Sequence, residues 1–269
     1  MTIEIVAKWR PGFVVYIFLL QLAGSIFSDN NELNAQSTYI GIKGGWSLPE
    51  LSGGTNEISK GWMSRSAFNF GVLGSREISK KIALQLEVNY ASQGGKKNGI
   101  QSLAGAAIHG IPAGLNLYAN FKNTAILNYL EVPVTIKYYF INGHSLKCYI
   151  DAGPYFGYLL NAYDRTSGAG SIFLDRSGTL FMLPDPSDPS QLVPLPSQNF
   201  EANTTITSDI NKFNIGINGG VGIGQEFGRG DIFFDVKGYY GFLNIQKNSV
   251  NGKNNTGALV VSIGYALKI

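Results

Sequence analysis

Cysteine, histidine and charged side chains are scarce in this chain of 269 residues. The only cysteine, Cys148, lies far from the N-terminus, which excludes a disulfide framework and an N-terminal cysteine for lipid attachment. Charged residues make up 14% of the chain and the formal net charge is +3, so we expect no nucleic-acid partner. Glycine, tyrosine and phenylalanine are plentiful, with 34, 14 and 16 residues, and no long stretch repeats at a helical period. This composition favours a single all-β unit.

The N-terminal 36 residues have the order of a secretory signal peptide. Two basic residues precede an apolar run over residues 13–27, and a polar stretch then leads to the first strand. The apolar run is short and interrupted for a membrane-spanning helix. We expect cleavage near Ala35 or Gln36, which makes 1–36 a signal peptide and 37–269 the exported barrel domain. An uncleaved anchor helix is the alternative.

Beyond residue 37, apolar and polar residues alternate in eight separate runs. In NYLEVPVTIKYYF, residues 128–140, one face is wholly apolar and the other carries Glu131 and Lys137. A period of two is the signature of a β-strand with two different faces. None of the apolar faces carries a charged residue, and a charge facing lipid would cost about 2 to 4 kcal/mol near the membrane midplane. The pattern therefore favours strands whose apolar face meets lipid.

The connections between these runs alternate between tight turns and long loops. The tight turns lie near residues 79–81, 142–145 and 228–230. The long loops are predicted at 48–64, 94–125, 161–211 and 247–257. Short periplasmic turns and long extracellular loops are typical of outer-membrane barrels. We predict an eight-stranded antiparallel up-and-down transmembrane β-barrel, or ten strands if a long loop adds a hairpin. A soluble lipocalin-like barrel is the alternative fold.

The polar faces of the runs predict a filled lumen. Five basic and four acidic residues fall on these inner faces: Lys43, Glu87, Glu131, Lys137, Lys147, Asp151, Asp235, Lys237 and Lys268. The signs nearly cancel, as in a closed lumen held by ion pairs, whereas a selective pore would show an excess of one sign. A barrel of eight strands is also just wide enough for packed side chains.

Several stretches carry a resemblance to a known family. They are YIGIKGGWS at 39–47, YLEVPVTIKYYF at 129–140, DAGPYFGYLL at 151–160, FNIGINGGVGIGQEF at 213–227 and SIGYALKI at 262–269. With these stretches the chain resembles the PorT-like outer-membrane β-barrel proteins of Gram-negative bacteria. The resemblance implies an integral outer-membrane barrel without a catalytic residue or cofactor. One protein of that name takes part in protein secretion, which implies a secretion-associated role.

The loop 161–211 is the predicted site of function. It holds five of the ten prolines, and six acidic against two basic residues give it a net charge of −4. Binding residues concentrate on loops held by a rigid scaffold, so we expect Asp175, Asp185 and Asp188 to meet a protein partner or a cation. The apolar run over 102–118 is expected to extend the barrel wall or to fold across its mouth.

The few histidines argue against an enzyme. His109 and His144 are predicted at opposite ends of the barrel, so they cannot share a catalytic site. We therefore predict a non-enzymatic structural, surface-binding or secretion-associated component of the outer membrane, with the lipid bilayer as its surroundings. The alternative function is a small-solute channel or transporter. The last strand, residues 262–269, resembles the signal read by the outer-membrane assembly machinery, with Ile269 in place of the usual aromatic.

Overall fold

The computed structural model describes residues 37–104 and 116–269, so the predicted signal peptide and His109 lie outside the described residues. Eight long strands form the barrel: β1 (Thr38–Ser52), β2 (Ala67–Ser79), β3 (Ile82–Ala104), β4 (Asn116–Asn142), β5 (Lys147–Ser167), β6 (Phe213–Phe227), β7 (Gly230–Gly241) and β8 (Asn255–Lys268). Each strand pairs antiparallel with its neighbours in the chain, and β8 pairs with β1. The ring is closed, and the prediction of an eight-stranded antiparallel barrel is confirmed.

The outer surface of the ring carries a band of exposed apolar side chains, which we call the apolar band. It includes Ile42, Phe68, Phe70, Val72, Ile136, Ile150, Ile217, Val221, Ile223, Phe234 and Ile263. The inward residues between them are buried and largely polar. A soluble lipocalin-like barrel would show the reverse arrangement, because its apolar residues would point into the core. The structure excludes that alternative.

Tight turns connect the strands at one end of the barrel, the turn end, as the sequence predicted. At the opposite end, the loop end, the strands run further than predicted. The predicted loop 94–125 is wrong in its bounds, because β3 and β4 stay paired from Gly94↔Ile126 to Ala104↔Asn116. Gly94 has a φ of 120°, which a residue with a side chain rarely adopts, yet the ladder continues past it. The glycine-rich stretch therefore extends the wall.

The extended β3–β4 hairpin lies beyond the apolar band. On β3 the outward residues turn polar after Tyr90, and Lys96 and Asn98 are exposed, as is Lys122 on the facing strand. On β5 the last exposed apolar residue is Leu160. Residues 94–104, 116–125 and 161–167 are thus outside the part of the barrel that the apolar band surrounds.

The connection from β5 to β6 is folded onto the barrel wall. Two short strands extend the sheet, Ile172–Phe173 against β4 and Ala202–Thr205 against β5. Two small hairpins pair Ala169–Gly170 with Gln198–Asn199 and Met182–Pro184 with Leu192–Pro194. None of these pieces enters the ring, so the alternative of ten barrel strands is not realised in residues 37–104 and 116–269. In the same part of the chain, no helix has the length and apolar character needed to cross a membrane.

Candidate functional site

A layer of four charged side chains crosses the bore of the barrel. Lys43, Glu87, Asp151 and Lys237 come from β1, β3, β5 and β7 respectively, and all are buried. Lys237 Nζ lies 3.1 Å from Glu87 Oε1 and 2.6 Å from Asp151 Oδ2, while Lys43 pairs with Glu87 Oε2. Strands β3 and β7 stand on opposite sides of the ring, so the contact between Glu87 and Lys237 crosses the lumen. We call these four residues the charged layer.

Amide and aromatic side chains complete the lumen around the charged layer. Gln85 Nε2 and Asn89 Nδ2 donate to Glu87 at 2.5 Å and 2.8 Å, so both carboxylate oxygens are fully engaged. The Tyr149 hydroxyl donates to Asp235, which lies 4.0 Å from Lys237. Because the buried charges of this layer are ion-paired, removing one partner would leave an uncompensated charge in the interior.

The other charged residues predicted for the lumen lie apart from this layer. Lys137 is buried with its ammonium 4.1 Å from the Tyr149 ring. Glu131 is buried and accepts from Gln93 Nε2 at 2.9 Å, but it has no ion-pair partner within the described ranges. Lys147 is half-buried near the turn end, and Lys268 is exposed there. The structure therefore brings Lys43, Glu87, Asp151, Asp235 and Lys237 together and leaves the other four outside the ion-paired group.

Sequence reasoning missed one charge at the turn end. Asp231 Oδ2 lies 2.5 Å from Lys147 Nζ, and the two side chains are only 15% and 12% exposed. Asp231 follows the tight turn 228–230, so it was not counted among the inner residues. Its spacing of two and four residues from the buried Phe233 and Asp235 was the signal that could have placed it on the inner face.

A cavity of about 400 Å³ lies at the loop end, and we call it the mouth cavity. Its lining comes from the β1–β2 loop, the extended hairpin, the end of β5 and the loops before β6 and β8. Leu51, Leu127, Ile210 and Ile245 supply an apolar wall and belong to one buried cluster, against which Trp62 packs. The cavity is thus formed by several segments of the chain, and one of its sides is apolar.

Three of the residues that line the mouth cavity each have a buried polar atom without a hydrogen-bond partner. Asn123 Oδ1, Asp164 Oδ1 and Trp62 Nε1 are buried and have no hydrogen-bond partner in the described part of the chain. Asn123 Nδ2 donates to the other Asp164 oxygen at 3.4 Å. Burial raises the pKa of the Asp164 carboxyl, while the Asn123 hydrogen bond and the charge of Lys97 oppose that shift. Each unpaired buried group costs about 1 to 3 kcal/mol.

The cations near the mouth cavity are already engaged. Lys97 donates from its ammonium to the Ile58 carbonyl and lies 4.5 Å from the Trp62 ring centre. Its burial lowers the pKa of Lys97 to about 8. Arg176 pairs with Glu57 at the rim. Lys97 and Arg176 therefore hold the surrounding loops rather than facing the cavity unpaired.

The three aspartates predicted as binding residues stabilise turns of the β5–β6 connection. Asp175 accepts from the Thr179 hydroxyl at 2.7 Å, and Asp188 accepts from the Ser190 hydroxyl at 2.6 Å. These side-chain hydrogen bonds lower the pKa of both carboxyls. Asp185 accepts from the Ser187 backbone N–H at 2.7 Å. The structure does not gather the three carboxylates into one site, because each serves its own local turn.

The histidine and acidic side chains of the described ranges are dispersed along the barrel. His144 lies in an exposed turn and contacts Glu226, at the opposite end of the barrel from the mouth cavity. No group of three or more histidine, cysteine, aspartate or glutamate side chains in residues 37–104 and 116–269 is arranged to hold a metal ion. The mouth cavity therefore stands as the candidate site, with apolar contacts and hydrogen bonds as its chemistry.

Comparison with solved structures finds barrels of similar fold at low sequence identity. Neisserial surface protein A is 12% identical over 88% of this chain and 100% of its own, with a TM-score of 0.40. OprG from Pseudomonas aeruginosa is 13% identical over 87% and 96%, with a TM-score of 0.38. Ail from Yersinia pestis, in complex with the heparin analogue sucrose octasulfate, is 11% identical over 87% and 100%, with a TM-score of 0.35. No curated protein matches the sequence.

A family match covers most of the chain. The family described as "Outer membrane protein beta-barrel domain" matches residues 34–247, which include β1 to β7. Since this match spans well over half of the sequence, the chain belongs to the outer membrane protein beta-barrel domain family and is an integral barrel of the outer membrane.

Proposed function

We propose that this barrel is a non-enzymatic surface component that binds a partner or ligand at its loop end, with a lumen closed to solutes. The proposal rests on the difference between the middle of the barrel and its loop end. The charged layer joins opposite walls across the bore, whereas a cavity of about 400 Å³ with an apolar wall lies at the loop end.

The proposal includes an orientation and a route to the membrane. Residues 1–36 act as a cleaved signal peptide, and the assembly machinery recognises the C-terminal strand. The turn end then faces the periplasm and the loop end faces the cell exterior, as is usual for barrels with short turns and long loops. The PorT-like resemblance supports a secretion-associated role, in which the connection 161–211 is the docking element for a protein partner.

Conductance of the purified protein in a planar bilayer tests the closed lumen. We expect no conductance from the wild type, because Lys237 and Glu87 meet in the middle of the bore. A Glu87→Ala/Lys237→Ala double variant is the matched positive control, since it removes both side chains of that contact without changing the net charge. Steady conductance by the wild type would contradict the proposal and favour a small-solute channel.

Replacement of residues 183–196 by a glycine-serine linker of equal length tests the docking role of the β5–β6 connection. This segment contains all but Met182 of the exposed hairpin Met182–Pro184 and Leu192–Pro194, which lies outside the ring. We expect normal folding, measured by heat-modifiable gel mobility, together with loss of partner capture by surface crosslinking on intact cells. Full retention of the wild-type crosslinks would rule out this segment as the docking element.

A further inference from the structure

The extended hairpin of β3 and β4, together with the end of β5, forms a wall whose two faces differ. The inner face is covered, because Ala119 and Phe121 belong to a buried cluster with Ile172 of the β5–β6 connection. The outer face is open, since its outward residues Asn120 and Lys122 are exposed. This wall lies beyond the apolar band, so the hydrocarbon of the membrane does not cover the outer face either.

Three exposed cations gather on this outer face, and we call them the basic face. They are Lys96 on β3, Lys122 on β4 and Arg165 on β5. The strand register places Thr124 between Lys96 and Arg165, and Lys122 stands two residues from Thr124 on the same side of β4. Neighbouring strands are about 5 Å apart and residues i and i+2 about 7 Å apart, so the three side chains share one small surface. Like charges placed side by side on a sheet repel each other.

No acidic side chain balances the basic face. Its three cations make no ion pair within the described part of the chain. Residues 105–115, which join β3 and β4 in the sequence, contain no aspartate or glutamate. Asp164 lies on the opposite, inner face, where it lines the mouth cavity. Glu201, which precedes the neighbouring strand Ala202–Thr205, is exposed and is not paired with Arg165. The charge of the basic face is therefore free to meet an anion.

The height of the basic face above the apolar band selects the kind of anion. The row of Thr124 lies six residues beyond Leu130, the last exposed apolar residue of β4 toward the loop end. Six residues of strand span about 20 Å, or about 15 Å along the membrane normal at a tilt near 40°. The headgroup layer of a simple phospholipid reaches only about 5 to 8 Å beyond the hydrocarbon. A membrane anion at the height of the basic face therefore belongs to a larger headgroup, in which phosphates are carried on sugars.

The side chains of this face suit a phosphorylated saccharide. Arginine binds phosphate through two parallel N–H donors, and lysine binds it as a point charge. Asn120 is exposed two residues from Lys122, and its amide offers both donors and an acceptor to sugar hydroxyls. Thr124 adds a hydroxyl between the cations. Charge and hydrogen-bonding groups are thus both present for such a ligand.

We propose that the basic face binds the phosphorylated saccharide headgroup of a glycolipid in the outer leaflet, with Lys96, Lys122 and Arg165 as the receptors of its phosphates. The acyl chains of the same lipid lie against the apolar band below. This inference goes beyond the proposed binding of a partner at the mouth, because it concerns the outer wall of the barrel. It rests on the proposed orientation, in which the loop end faces the cell exterior.

Native mass spectrometry of the folded barrel in detergent, titrated with rough lipopolysaccharide, tests the proposal. The short core of this glycolipid carries phosphates on its sugars. We expect saturable binding by the wild type and at least about tenfold weaker binding by Lys96→Gln/Lys122→Gln/Arg165→Gln. The same lipopolysaccharide stripped of its phosphates should bind the wild type at least about tenfold more weakly.

A second triple variant is the matched control. Lys80→Gln/Lys81→Gln/Lys268→Gln removes the same number of exposed cations, but at the turn end. It should bind lipopolysaccharide as the wild type does. Heat-modifiable gel mobility checks that each variant forms the barrel.

A variant that keeps the charge guards against a folding defect at the basic face. Lys96→Arg/Lys122→Arg retains both positive charges and adds N–H donors that pair with phosphate. We expect it to bind lipopolysaccharide at least as tightly as the wild type. A loss of binding as large as in the glutamine variant would overturn the assignment of these two residues as receptors of the phosphates.

Three further outcomes would overturn the inference. An equal loss in both glutamine variants would show that binding follows net charge and not the basic face. Binding that survives removal of the phosphates would exclude phosphate recognition. If inorganic polyphosphate bound as tightly as lipopolysaccharide and with the same sensitivity to the basic-face variant, the face would serve a soluble polyanion instead of a lipid.

The orientation is measured separately, so its failure is distinguishable from failure of the lipid site. Ser187→Cys in a Cys148→Ala background places one thiol in the exposed part of the β5–β6 connection. Labelling of intact cells by a membrane-impermeant maleimide supports the proposed orientation. Labelling only after the outer membrane is opened would overturn the orientation and, with it, the outer-leaflet source of the lipid.

Discussion

Glu87 in the lumen and Asp164 at the mouth cavity differ in how many partners their carboxylates have. In the charged layer, Glu87 has two cationic partners and two amide donors, and the side chains meet from opposite strands. In the mouth cavity, Asp164 and Asn123 contact each other and keep one buried acceptor each without a partner. An ion-paired and hydrogen-bonded network rigidifies a core. The charged layer thus links opposite walls of the barrel, whereas Asp164 and Asn123 link only the adjacent strands β4 and β5.

The strongest test of this comparison is the removal of one charge from the lumen. Lys237→Met keeps the side chain's length but leaves Asp151 without its cation and Glu87 with Lys43 alone. We expect the free energy of unfolding to fall by about 3 to 5 kcal/mol. Urea unfolding in detergent or lipid vesicles, followed by gel mobility, measures the loss. Lys268→Met is the control, because Lys268 is exposed at the turn end. It should change the free energy of unfolding by less than about 0.5 kcal/mol. If Lys237→Met also lowered the free energy of unfolding by less than about 0.5 kcal/mol, the charged layer would not be a stabilising element of the barrel.

A smaller effect is expected where a glycine allows two barrel strands to approach each other. A Cβ atom on Gly153 would overlap the backbone carbonyl of Val134 on β4, whereas a Cβ on Gly44 would meet nothing within 4 Å. Gly153→Ala should therefore lower the free energy of unfolding by about 1 to 3 kcal/mol, because the wall cannot absorb the added atom without backbone shifts. Gly44→Ala should be close to neutral in the same urea titration. Equal effects of the two would mean that the β4–β5 wall yields to the added atom.

The smallest effect is expected at the mouth, where Lys97 contacts the Trp62 ring. Lys97→Met should cost about 1 kcal/mol at pH 7, since it removes a cation–π contact and the hydrogen bond to the Ile58 carbonyl. Lys60→Met, exposed on the same rim, is the control and should change stability by less than about 0.5 kcal/mol.

The pH dependence of the Lys97 variant sharpens this test. The pKa of Lys97 is lowered to about 8 in the folded barrel, against 10.5 for an ordinary lysine. Between these values the unfolded chain holds a proton that the folded chain has lost, so the wild type becomes more stable as the pH rises. The cost of Lys97→Met measured by urea unfolding should therefore be larger at pH 9.5 than at pH 7. A pH-independent cost would contradict the burial of the Lys97 ammonium.

Much of the barrel wall could be predicted from the alternation of apolar and polar residues along each strand. Most of the mouth cavity could not. The inward residues Glu87, Asp151 and Lys237 were identified because each has apolar neighbours on both sides in its strand. The bounds of the loop 94–125 were wrong because glycine and lysine near Gly94 have the composition of a loop, while pairing with β4 keeps them in the sheet. The mouth cavity was not foreseen. Its lining comes from segments as far apart as Leu51, Asp164 and Ile245, and none of them carries a local motif.

The order of residues along the chain specifies the eight strands, the tight turns and which face of each strand points inward. These follow from a period of two, which is a property of neighbouring residues and of a backbone that alternates its side chains. The closure of the ring sets which inward groups meet. Glu87 and Lys237 are 150 residues apart and come into contact because the ring closes and sets their strands opposite each other. The pairing of Asn123 with Asp164 likewise depends on the β4–β5 register, which brings two distant segments together at the mouth.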